Sequence, residues 1–597
     1  MFNNLAWHLH FTRIFIVSMS YTMPSSFQLP HHSSKITLWP SPNLKHGKPI
    51  FCSINKTSFP TKTSKEKAFE ETRNKTKTLS LPLLPQSIFS HLSTMSKNLF
   101  LNTLNIIDPP LHPSIDPNLV FAGNFAPVNE LDPTDCQVIE GELPLTLNGV
   151  YIRNGPNPQL QPRRALHLFD GDGMLHSLRL SNGNATYCSR YVKTYKYMLE
   201  QDAGFPIIPN FFSGFYGLVD VIRFLMDIGK VLTGHIDLMK GFGVANTSIA
   251  FISNKLLALT DSDLPYLINV TQTGDIETLG RWELTKKLLA NMSAHPKVDI
   301  ETKETFAFTT SLTFPHLSFF RFDSNGVKQK EVPVSSVCTP TFLHDLAITK
   351  TFAIFCETQL ELAPAKVVMG RGALVDYKQD KLTRIGIIPR YSTDDSDMEW
   401  FQVPNFNAIH IFNAWESGED EIVLVASNVI SIENIYDRTC VIKLEKVKIN
   451  MRTGQVSRNI LSPRNLEFGS INPSYVGKKS RFAYVGVFEE IPKMLGVVKI
   501  DLETGCEVGK RFYGHGCFGG EPLFVTKDTE NNVDSEDEED EGYVMSYVHN
   551  EETGESKFLV MDAKSQELNI VAAVRLPRRV PYGFHGLFLS RQDLLHL

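Results

Sequence analysis

Short apolar runs alternate with turn-forming dipeptides along the chain from about residue 120 to its end. Asn-Gly and Thr-Gly pairs supply the positive-φ residues of tight hairpin turns, so a segment such as VVKIDLETGCEVGKRFYG is typical of strand, turn, strand. Three of the five intervals between these dipeptides are about 50 residues long, a length that suits a four-stranded propeller blade. The dipeptides lie at 182/183, 273/274, 325/326, 453/454, 504/505 and 553/554. The pattern predicts an all-β propeller.

Helical periodicity occurs in two places only. Apolar residues recur at intervals of three and four within 83–107, and again within 218–232, where Asp220, Arg223, Asp227 and Lys230 line the opposite face. An α/β fold would need many such helices between its strands, so it is disfavoured. The second helix either packs on its own core or docks on a membrane surface, because the neighbouring segment 205–217 is rich in apolar and aromatic side chains.

The composition of the first 65 residues differs from that of the rest. Residues 1–65 contain no Asp or Glu but carry Arg13, six lysines and ten serines, and the first acid is Glu66. This composition is typical of an organelle transit peptide, with a mitochondrial address or an untargeted disordered tail as alternatives. We therefore expect a transit peptide at 1–65, a linker with the first helix at 66–119, and one β-propeller domain at 120–597.

Bulk composition excludes several classes of function. The 597-residue chain has a net charge of -6 and 21% charged residues, with no basic excess that would bind nucleic acid. Its eight cysteines form no C-x-x-C pair, which argues against a zinc ribbon or a dense disulfide framework and favours a reducing compartment. The acidic run at 534–542 is typical of a solvated loop, with calcium binding as a weaker alternative.

Four histidines stand at the edges of short apolar segments: His295, His344, His410 and His585. Each alone could be a satisfied core residue, but a set of four in similar settings could share one metal ion. Their separations of 49, 66 and 175 residues mean that they converge only if strands of different blades meet on an axis. All-imidazole ligation suits Fe(II), Zn(II) or Cu(II), and the spacing leaves that choice open.

Carboxylates in apolar segments are candidate partners for those histidines, because a ligating imidazole normally donates its second N–H to an acceptor. Glu467 and Glu521 lie in strand-like surroundings where an unpaired charge would be unfavourable. Glu357 and Glu416 are also near histidine motifs but fit structural or rim positions better. Five aromatic residues flank the candidate ligands and could line a tunnel or pack in the core: Phe342, Phe412, Trp415, Phe584 and Phe588.

Together with the four histidine motifs, several longer segments resemble one family over nearly all of the chain from residue 120. These segments are GVYIRNGPNP (149–158), HLFDGDGMLHSLRL (167–180), GCFGGEPLFV (516–525) and RRVPYGFHGLF (578–588). The chain resembles the plant carotenoid cleavage dioxygenases, and is most similar to the plastid carotenoid cleavage dioxygenase 4 group. The resemblance implies a seven-bladed propeller with an α-helical cap over the active-site face.

The resemblance also implies the contents of the site. The four histidines would hold one Fe(II) with positions left open for O2, and Glu467 and Glu521 would be their outer partners. A third partner falls on Asp261, where relatives usually have Glu. The rival interpretation of Asp261 is a solvated residue in the turn TDSDLP, with Asp263 capping that turn.

The implied activity is oxidative cleavage of a carotenoid double bond by O2, at 9,10 (9',10'), giving apocarotenoid aldehydes or ketones. A conjugated polyene offers no acidic proton and no carbonyl, so a nucleophile or a general base could not cleave it. The alternatives are cleavage of 9-cis-epoxycarotenoids in abscisic acid biosynthesis and a poorly active carotenoid-binding propeller. The resemblance favours the chloroplast, with a peripheral association at a membrane or plastoglobule surface.

Overall fold

The computed structural model describes residues 111, 115–162, 165–210, 212–436, 439–527 and 538–597. The expected transit peptide, the expected helix at 83–107 and residues 534–537 of the acidic run lie outside these ranges. Within them, the chain is mainly antiparallel sheet, as the turn pattern predicted.

The described part of the domain begins with four strands and a short fifth strand. They are β1 (Leu131–Gly141), β2 (Gly149–Pro156), β3 (Gly173–Ser181), β4 (Asn184–Tyr191) and β5 (Phe215–Tyr216). Strands β2, β3 and β4 pair in order, and they need a fourth strand from elsewhere in the chain to complete a blade.

Two four-stranded blades follow, each built from strands that are consecutive in the chain. Blade strands are adjacent in sequence because tight turns join antiparallel neighbours. The first contains β6 (Ser248–Ile252), β7 (Lys255–Leu259), β8 (Tyr266–Val270) and β9 (Ile276–Arg281). The second contains β10 (Lys297–Val298), β11 (Thr305–Thr310), β12 (Leu317–Phe322) and β13 (Val332–Pro333).

The next blade is interrupted by an insertion, and the one after it is continuous. The interrupted blade pairs β14, β15, β19 and β20, and the insertion holds the short strands β16, β17 and β18. The bounds are β14 (Leu346–Ile348), β15 (Phe352–Glu357), β16 (Leu360–Leu362), β17 (Arg371–Gly372), β18 (Val375–Tyr377), β19 (Arg384–Pro389) and β20 (Glu399–Gln402). The continuous blade is β21 (Ala408–Ser417), β22 (Glu421–Val429), β23 (Ile442–Asn450) and β24 (Val456–Ile460).

The remaining strands form two further blades and supply the fourth strand of the blade that contains β2, β3 and β4. They are β25 (Leu466–Ser470), β26 (Phe482–Glu490), β27 (Lys493–Asp501), β28 (Cys506–Phe512), β29 (Cys517–Gly519), β30 (Leu523–Thr526), β31 (Gly542–Asn550), β32 (Ser556–Asp562), β33 (Ile570–Arg575) and β34 (Gly586–Ser590). Strands β25–β28 and β30–β33 form the two blades. The last strand, β34, pairs with β2, so the two ends of the domain share one blade and close the ring.

The architecture is a seven-bladed β-propeller, as predicted. Strand β1 pairs with both β33 and β4, and β29 pairs with both β27 and β31. These two strands join three blades into one continuous 14-stranded sheet. The predicted turn glycines have positive φ, for example Gly454 and Gly505 at 72°.

Aromatic and aliphatic side chains fill the spaces between blades. The Phe355 ring on β15 meets the rings of Phe308 and Phe319 on the preceding blade at centroid distances of 6.3 and 5.6 Å. All three side chains are buried. Full burial of such a side chain is worth about 1.5–3 kcal/mol, so the blade interfaces carry much of the stability.

The described residues form few helices, and only one of these, with 16 residues, is longer than nine residues. They are α1 (Pro117–Val120), α2 (Tyr195–Ala203), α3 (Gly217–Leu232), α4 (Pro364–Val368) and α5 (Arg591–Leu595), with 3-10 turns at Gly123–Phe125, Leu238–Lys240, Ile432–Asn434 and Pro473–Tyr475. Helix α3 confirms the prediction for 218–232. We call residues 195–240 and 360–377, which contain α2, α3, α4 and the β5–β17 and β16–β18 pairs, the cap.

Two further findings concern the described residues alone. None of their helices has both the length and the apolar character needed to cross a membrane. Their seven cysteines, Cys136, Cys188, Cys338, Cys356, Cys440, Cys506 and Cys517, are all free thiols.

Candidate metal centre

Four imidazole rings meet at the inner ends of four different blades. His295 lies two residues before β10, His344 lies two residues before β14, His410 is within β21, and His585 immediately precedes β34. The His295 ring centroid lies 4.5 Å from those of His344 and His585 and 5.0 Å from that of His410. The His410 and His585 centroids are 4.8 Å apart. Segments up to 290 residues apart in the chain thus place their histidines in one cluster.

Register shifts in β21 and β25 direct side chains toward this cluster. The register of β21 against β22 shifts on both sides of Ile411, which leaves His410 in a bulged stretch. The register of β25 against β26 shifts between Glu467 and Gly469. A β-bulge bends a strand and re-aims a side chain, and bulges often occur beside functional sites. The bulges account for the inward direction of His410 and of the residues around Glu467.

Three of the four imidazoles bond to carboxylates through Nδ1. The distances are 2.5 Å from His344 to Asp261 Oδ2, 2.9 Å from His410 to Glu467 Oε1, and 2.8 Å from His585 to Glu521 Oε1. An ionised carboxylate can only accept, so each Nδ1 is the protonated nitrogen and each Nε2 presents a lone pair.

His295 differs from the other three histidines. Within the described residues it has no carboxylate contact, and its Nε2 lies 3.0 Å from His344 Nε2. Nε2 of His410 is buried and has no hydrogen-bond partner among the described residues. His295, His410 and His585 each offer a ligand atom within 4.8 Å of the others. Buried lone pairs that face one another are unfavourable unless a proton or a cation lies between them.

The environment sets the protonation of these rings. Burial, followed by the neighbouring His585, His344 and His410, lowers the pKa of His295 well below 6.5. Burial also lowers the pKa of His410, although Glu467 opposes the shift. Burial acts in the same direction on His344, but the Asp261 carboxylate outweighs it and raises the pKa of that ring. His295 and His410 are therefore neutral near pH 7, the form that can donate a lone pair to a metal.

Glu467 is an anion in spite of its burial. Burial alone would raise its pKa, but His410 and the backbone N–H of Phe468 lower it below its usual value. A charged Glu467 is the stronger acceptor for the imidazole N–H, which makes the His410 ring more basic at Nε2. The pair thus fixes both the direction and the donor strength of His410.

One cavity of about 1560 Å³, including its open mouth, contains three of the histidines in its wall. The rest of the wall is mainly apolar. From the propeller come Phe169, Phe342, Ile409, Phe468 and Phe584, and from the cap come Pro209, Phe212, Leu362 and Val375. A long apolar molecule could reach the imidazole cluster through this space with few polar groups to desolvate.

The aromatic residues suggested by the sequence divide into two groups. Phe342 and Phe584 line the cavity, and the Phe342 ring stacks on His344 at 6.0 Å. Phe412 and Trp415 pack instead between the blades that contain β21 and β26, and Phe588 packs beside Tyr151. The tunnel interpretation is therefore wrong for these three residues, because their strand positions direct the side chains to the blade faces.

Glu357 and Glu416 lie in structural contacts. Glu357 pairs with Lys381 at 3.1 Å and Arg384 at 2.6 Å, and Glu416 accepts hydrogen bonds from Thr349 and Thr351. Neither glutamate lines the cavity. Asp263, the capping residue of the rival interpretation, accepts the backbone N–H groups of Leu264 and Gly243 and also pairs with Arg281 at 2.6 Å.

Phe468 is the most notable site residue that the sequence did not indicate. Its ring lies 5.4 Å from His410 and 5.0 Å from His585, and its backbone φ is 51°. A bulky residue in that region is strained, and such strain concentrates at functional sites. The next residue, Gly469, leaves the space that the Phe412 ring fills. A Phe-Gly pair directly after a candidate glutamate was the available signal.

Comparisons with known proteins agree with this geometry. The family model RPE65, described as retinal pigment epithelial membrane protein, matches residues 125–590. The chain is 54% identical over 499 residues to the probable carotenoid cleavage dioxygenase 4, chloroplastic, of Arabidopsis thaliana, covering 82% of this chain and 83% of that protein. It is 49% identical over 503 residues to the chloroplastic 9-cis-epoxycarotenoid dioxygenase NCED1 of Oryza sativa subsp. japonica, covering 82% and 78%.

A solved structure extends the comparison to three dimensions. Cobalt-substituted apocarotenoid oxygenase from Synechocystis superposes with a TM-score of 0.62 at 25% identity, covering 77% of this chain and 96% of that protein.

Proposed function

This chain belongs to the RPE65 family of carotenoid oxygenases, and we propose that it cleaves a carotenoid double bond with O2 at one Fe(II) held by four histidines. It is an enzyme of the carotenoid cleavage dioxygenase class. The observation that carries the proposal is the cluster of His295, His344, His410 and His585, the last three of which lie in the wall of one large apolar cavity.

The donor set fits a divalent transition metal. Four imidazole nitrogens suit iron, zinc or copper, and the buried Nε2 of His410 has no other partner among the described residues. The 3.0 Å approach of His295 Nε2 to His344 Nε2 is also relieved by a shared cation. Membership of a non-haem iron family selects Fe(II) among these metals. When bound, iron supplies the activation of O2.

The protein groups bind, orient and exclude water. Asp261, Glu467 and Glu521 each accept an imidazole N–H, so they act as positioning residues rather than as general bases. The phenyl rings of Phe169, Phe342, Phe468 and Phe584 give a polyene an apolar wall beside the histidines, and aromatic faces pack well against conjugated chains. The substrate needs no proton transfer for this cleavage, which agrees with a wall that offers few free polar groups.

We infer that the cleaved bond is the 9,10 (9',10') double bond, giving apocarotenoid aldehydes or ketones. The 36% identity over 535 residues to carotenoid 9,10(9',10')-cleavage dioxygenase 1 of Arabidopsis thaliana supports this assignment. A second candidate substrate is a 9-cis-epoxycarotenoid, favoured by the 49% identity to the rice enzyme. A poorly active carotenoid-binding protein is disfavoured because binding alone needs neither the four histidines nor their carboxylate partners.

The cap supplies the argument for a lipid surface. On α3, Leu218 and Leu225 are 75% and 57% exposed, whereas Asp220 on the opposite face is buried and pairs with Arg223 at 2.8 Å. An amphipathic helix with its apolar face outward can lie in a membrane interface. We propose that this face binds a plastid membrane or plastoglobule, from which a carotenoid enters the cavity under the cap.

The plastid assignment rests on the composition of residues 1–65 and on the chloroplastic relatives. Fusions of the full chain and of residues 66–597 to a fluorescent protein test it in leaf cells. Plastid fluorescence for the full chain and cytosolic fluorescence for the truncated chain are expected. Plastid import of the truncated chain would contradict the assignment of 1–65 as a transit peptide.

The activity is tested with residues 66–597, loaded with Fe(II) under nitrogen and mixed with oxygenated detergent solutions of carotenoids. Bicyclic, hydroxylated and 9-cis-epoxy carotenoids form the panel, and mass spectrometry identifies both products. A 9,10 product pair from the first two classes supports the main proposal, and exclusive cleavage of the epoxy substrates supports the second candidate. Tight carotenoid binding without any product would overturn both.

A further inference from the structure

Three of the four histidine segments meet at a second point, just behind the imidazole rings. His344 is followed by Asp345, His410 is followed by Ile411, and Lys297 stands two residues after His295. His295 and Asp345 also pair as an isolated parallel β-bridge. The contact of these segments is thus built from neighbouring residues and from the His295 backbone rather than from the imidazole rings.

The Asp345 carboxylate is the centre of this contact. Its Oδ1 lies 2.9 Å from Lys297 Nζ and accepts the Leu346 backbone N–H at 2.7 Å. Its Oδ2 accepts the Ile411 backbone N–H at 2.8 Å and lies 3.1 Å from the same Lys297 ammonium. Asp345 therefore contacts its own blade, the blade of His295 and the blade of His410 at once.

Lys297 closes the arrangement. Besides Asp345, its ammonium donates to the Ile411 carbonyl at 3.3 Å. The N–H and C=O of Ile411 are thus bonded to the two members of one ion pair. These bonds fall within the bulged stretch of β21, where the pairing with β22 is irregular. The ion pair stabilises the bulge that directs His410 inward.

The Asp345–Lys297 ion pair is largely buried, which bears on its role in the structure. The Asp345 side chain is 3% exposed and the Lys297 side chain 21%. Ion pairs in such places add little net stability over an apolar substitute, but loss of one partner leaves an uncompensated buried charge. Their best-supported use is to fix one arrangement of the surrounding segments. His585, the fourth histidine, lies outside this arrangement, and its segment is bonded to Asn154 instead.

We propose that Asp345 and Lys297 are positioning residues, which hold His295, His344 and His410 at the mutual spacing that a metal ion requires. This inference rests on the proposed function of the histidine cluster as a metal centre. Loss of either member should leave the three rings present but with a wider range of separations, so metal affinity falls while the fold persists.

The test is a Co(II) titration of the full-length apo-protein, in which the visible absorption of bound cobalt is measured. For Asp345→Asn and Lys297→Met we expect about 10-fold weaker Co(II) binding, similar to the lower end of losses from outer partners of metal ligands. The cobalt bands should also broaden or lose intensity. The double variant should bind no worse than the weaker single variant, because both changes break one shared contact. Lys297→Arg should restore most of the affinity.

Glu445→Gln is the matched control. Glu445 is as buried as Asp345 and pairs with Arg458 at 2.7 Å, but it lies on β23 within the blade. This variant should bind Co(II) as the parent does. Should Asp345→Asn fail to fold, Lys297→Met carries the test, because its side chain is less buried.

Parent-like affinity and an unchanged spectrum in Lys297→Met and Asp345→Asn would overturn the positioning role while leaving the metal centre intact. Equal loss of affinity in Glu445→Gln would reduce the effect to general destabilisation and also overturn it. Absence of Co(II) binding by the parent would overturn the proposed metal centre, and this inference with it.

Discussion

The histidine cluster with its carboxylate partners Asp261, Glu467 and Glu521, which we call the axis, differs from the cap in how polar and apolar groups are arranged. On the axis, side-chain carboxylates are paired with imidazoles at 2.5–2.9 Å, and each comes from a different blade. In the cap, α3 buries Asp220 and exposes Leu218 and Leu225. The axis is built from directional bonds that fix atoms, whereas the cap is built from apolar surface that tolerates many partners.

This difference between directional hydrogen bonds and apolar surface indicates that the axis and the cap have separate roles. Directional hydrogen bonds can hold ligand nitrogens to within tenths of an ångström, which metal binding requires. Apolar contacts are not directional, so the proposed lipid contact and polyene entry at the cap need not select one atom position. Reaction chemistry should thus depend on the axis, and substrate delivery on the cap. Substitutions in each region test this division.

Replacing one of the histidines has the largest expected effect. His295→Ala, His344→Ala, His410→Ala or His585→Ala should each remove cleavage below detection and sharply lower iron content, because one lone pair of the set is lost. Iron per protein by plasma mass spectrometry and product by chromatography measure the outcome. His515→Ala, at an exposed site, is the control. A variant with full iron and full activity would remove that histidine from the centre.

Substitution of an outer carboxylate should have the next largest effect. Glu467→Gln or Glu521→Gln keeps the size but replaces a charge-assisted acceptor with a weaker one, so iron affinity or activity should fall about 10- to 100-fold. Competition with a chelator measures the affinity. Glu416→Gln, which changes a carboxylate that accepts hydrogen bonds only from threonines, should have no such effect. Unchanged affinity in both axis variants would break the division between the two regions.

A substitution in the cap should lower lipid binding but leave cleavage in detergent unchanged. Leu225→Asp should reduce binding to vesicles of plastid lipids by about 10-fold or more, because it removes about 1.5–3 kcal/mol of apolar burial and adds a charge. Cleavage of carotenoid in detergent micelles should remain close to that of the parent. Leu279→Asp, exposed on β9, is the control for a surface leucine outside the cap. Equal vesicle binding by all three proteins would show that α3 does not contact lipid.

Sequence reasoning predicted the blades, the cap helix α3 and the candidate histidines, but not the contacts that surround the histidines. Turn dipeptides predicted the blades because glycine at positive φ is a local requirement that any sequence must meet. The four histidines and Glu467 stood out because charged or imidazole groups in apolar segments need partners. The strain at Phe468 and the ion pair at Asp345 and Lys297 could not be found this way. They depend on bulges and on contacts between blades, which a periodic pattern does not encode.

The smallest expected effect is that of Asp261→Glu, for which side-chain length alone and the observed contacts predict opposite signs. Relatives usually have Glu there, so side-chain length alone predicts that the shorter Asp reaches its imidazole only through a backbone shift or a bridging water, and that Asp261→Glu tightens metal binding. In the structure, Asp261 Oδ2 contacts His344 Nδ1 directly at 2.5 Å, while Oδ1 accepts the Ala294 N–H at 2.7 Å.

Both oxygens of Asp261 are therefore in use, and they join the segment before His295 to the His344 ring. An added methylene moves the carboxylate by about 1.5 Å, so Glu must bend and cannot keep both bonds at these lengths. We expect Asp261→Glu to weaken Co(II) binding several-fold, by less than about 10-fold, and Asp261→Ala to weaken it by about 10- to 100-fold. Asp261→Asn keeps the side-chain length but removes the charge, so it separates the effect of charge on Co(II) affinity from the effect of side-chain length. Tighter binding by Asp261→Glu would contradict this expectation. It would mean that the backbone around residue 261 can shift to accommodate the longer side chain. Side-chain length, not the double contact with Ala294 and His344, would then limit the affinity of the site.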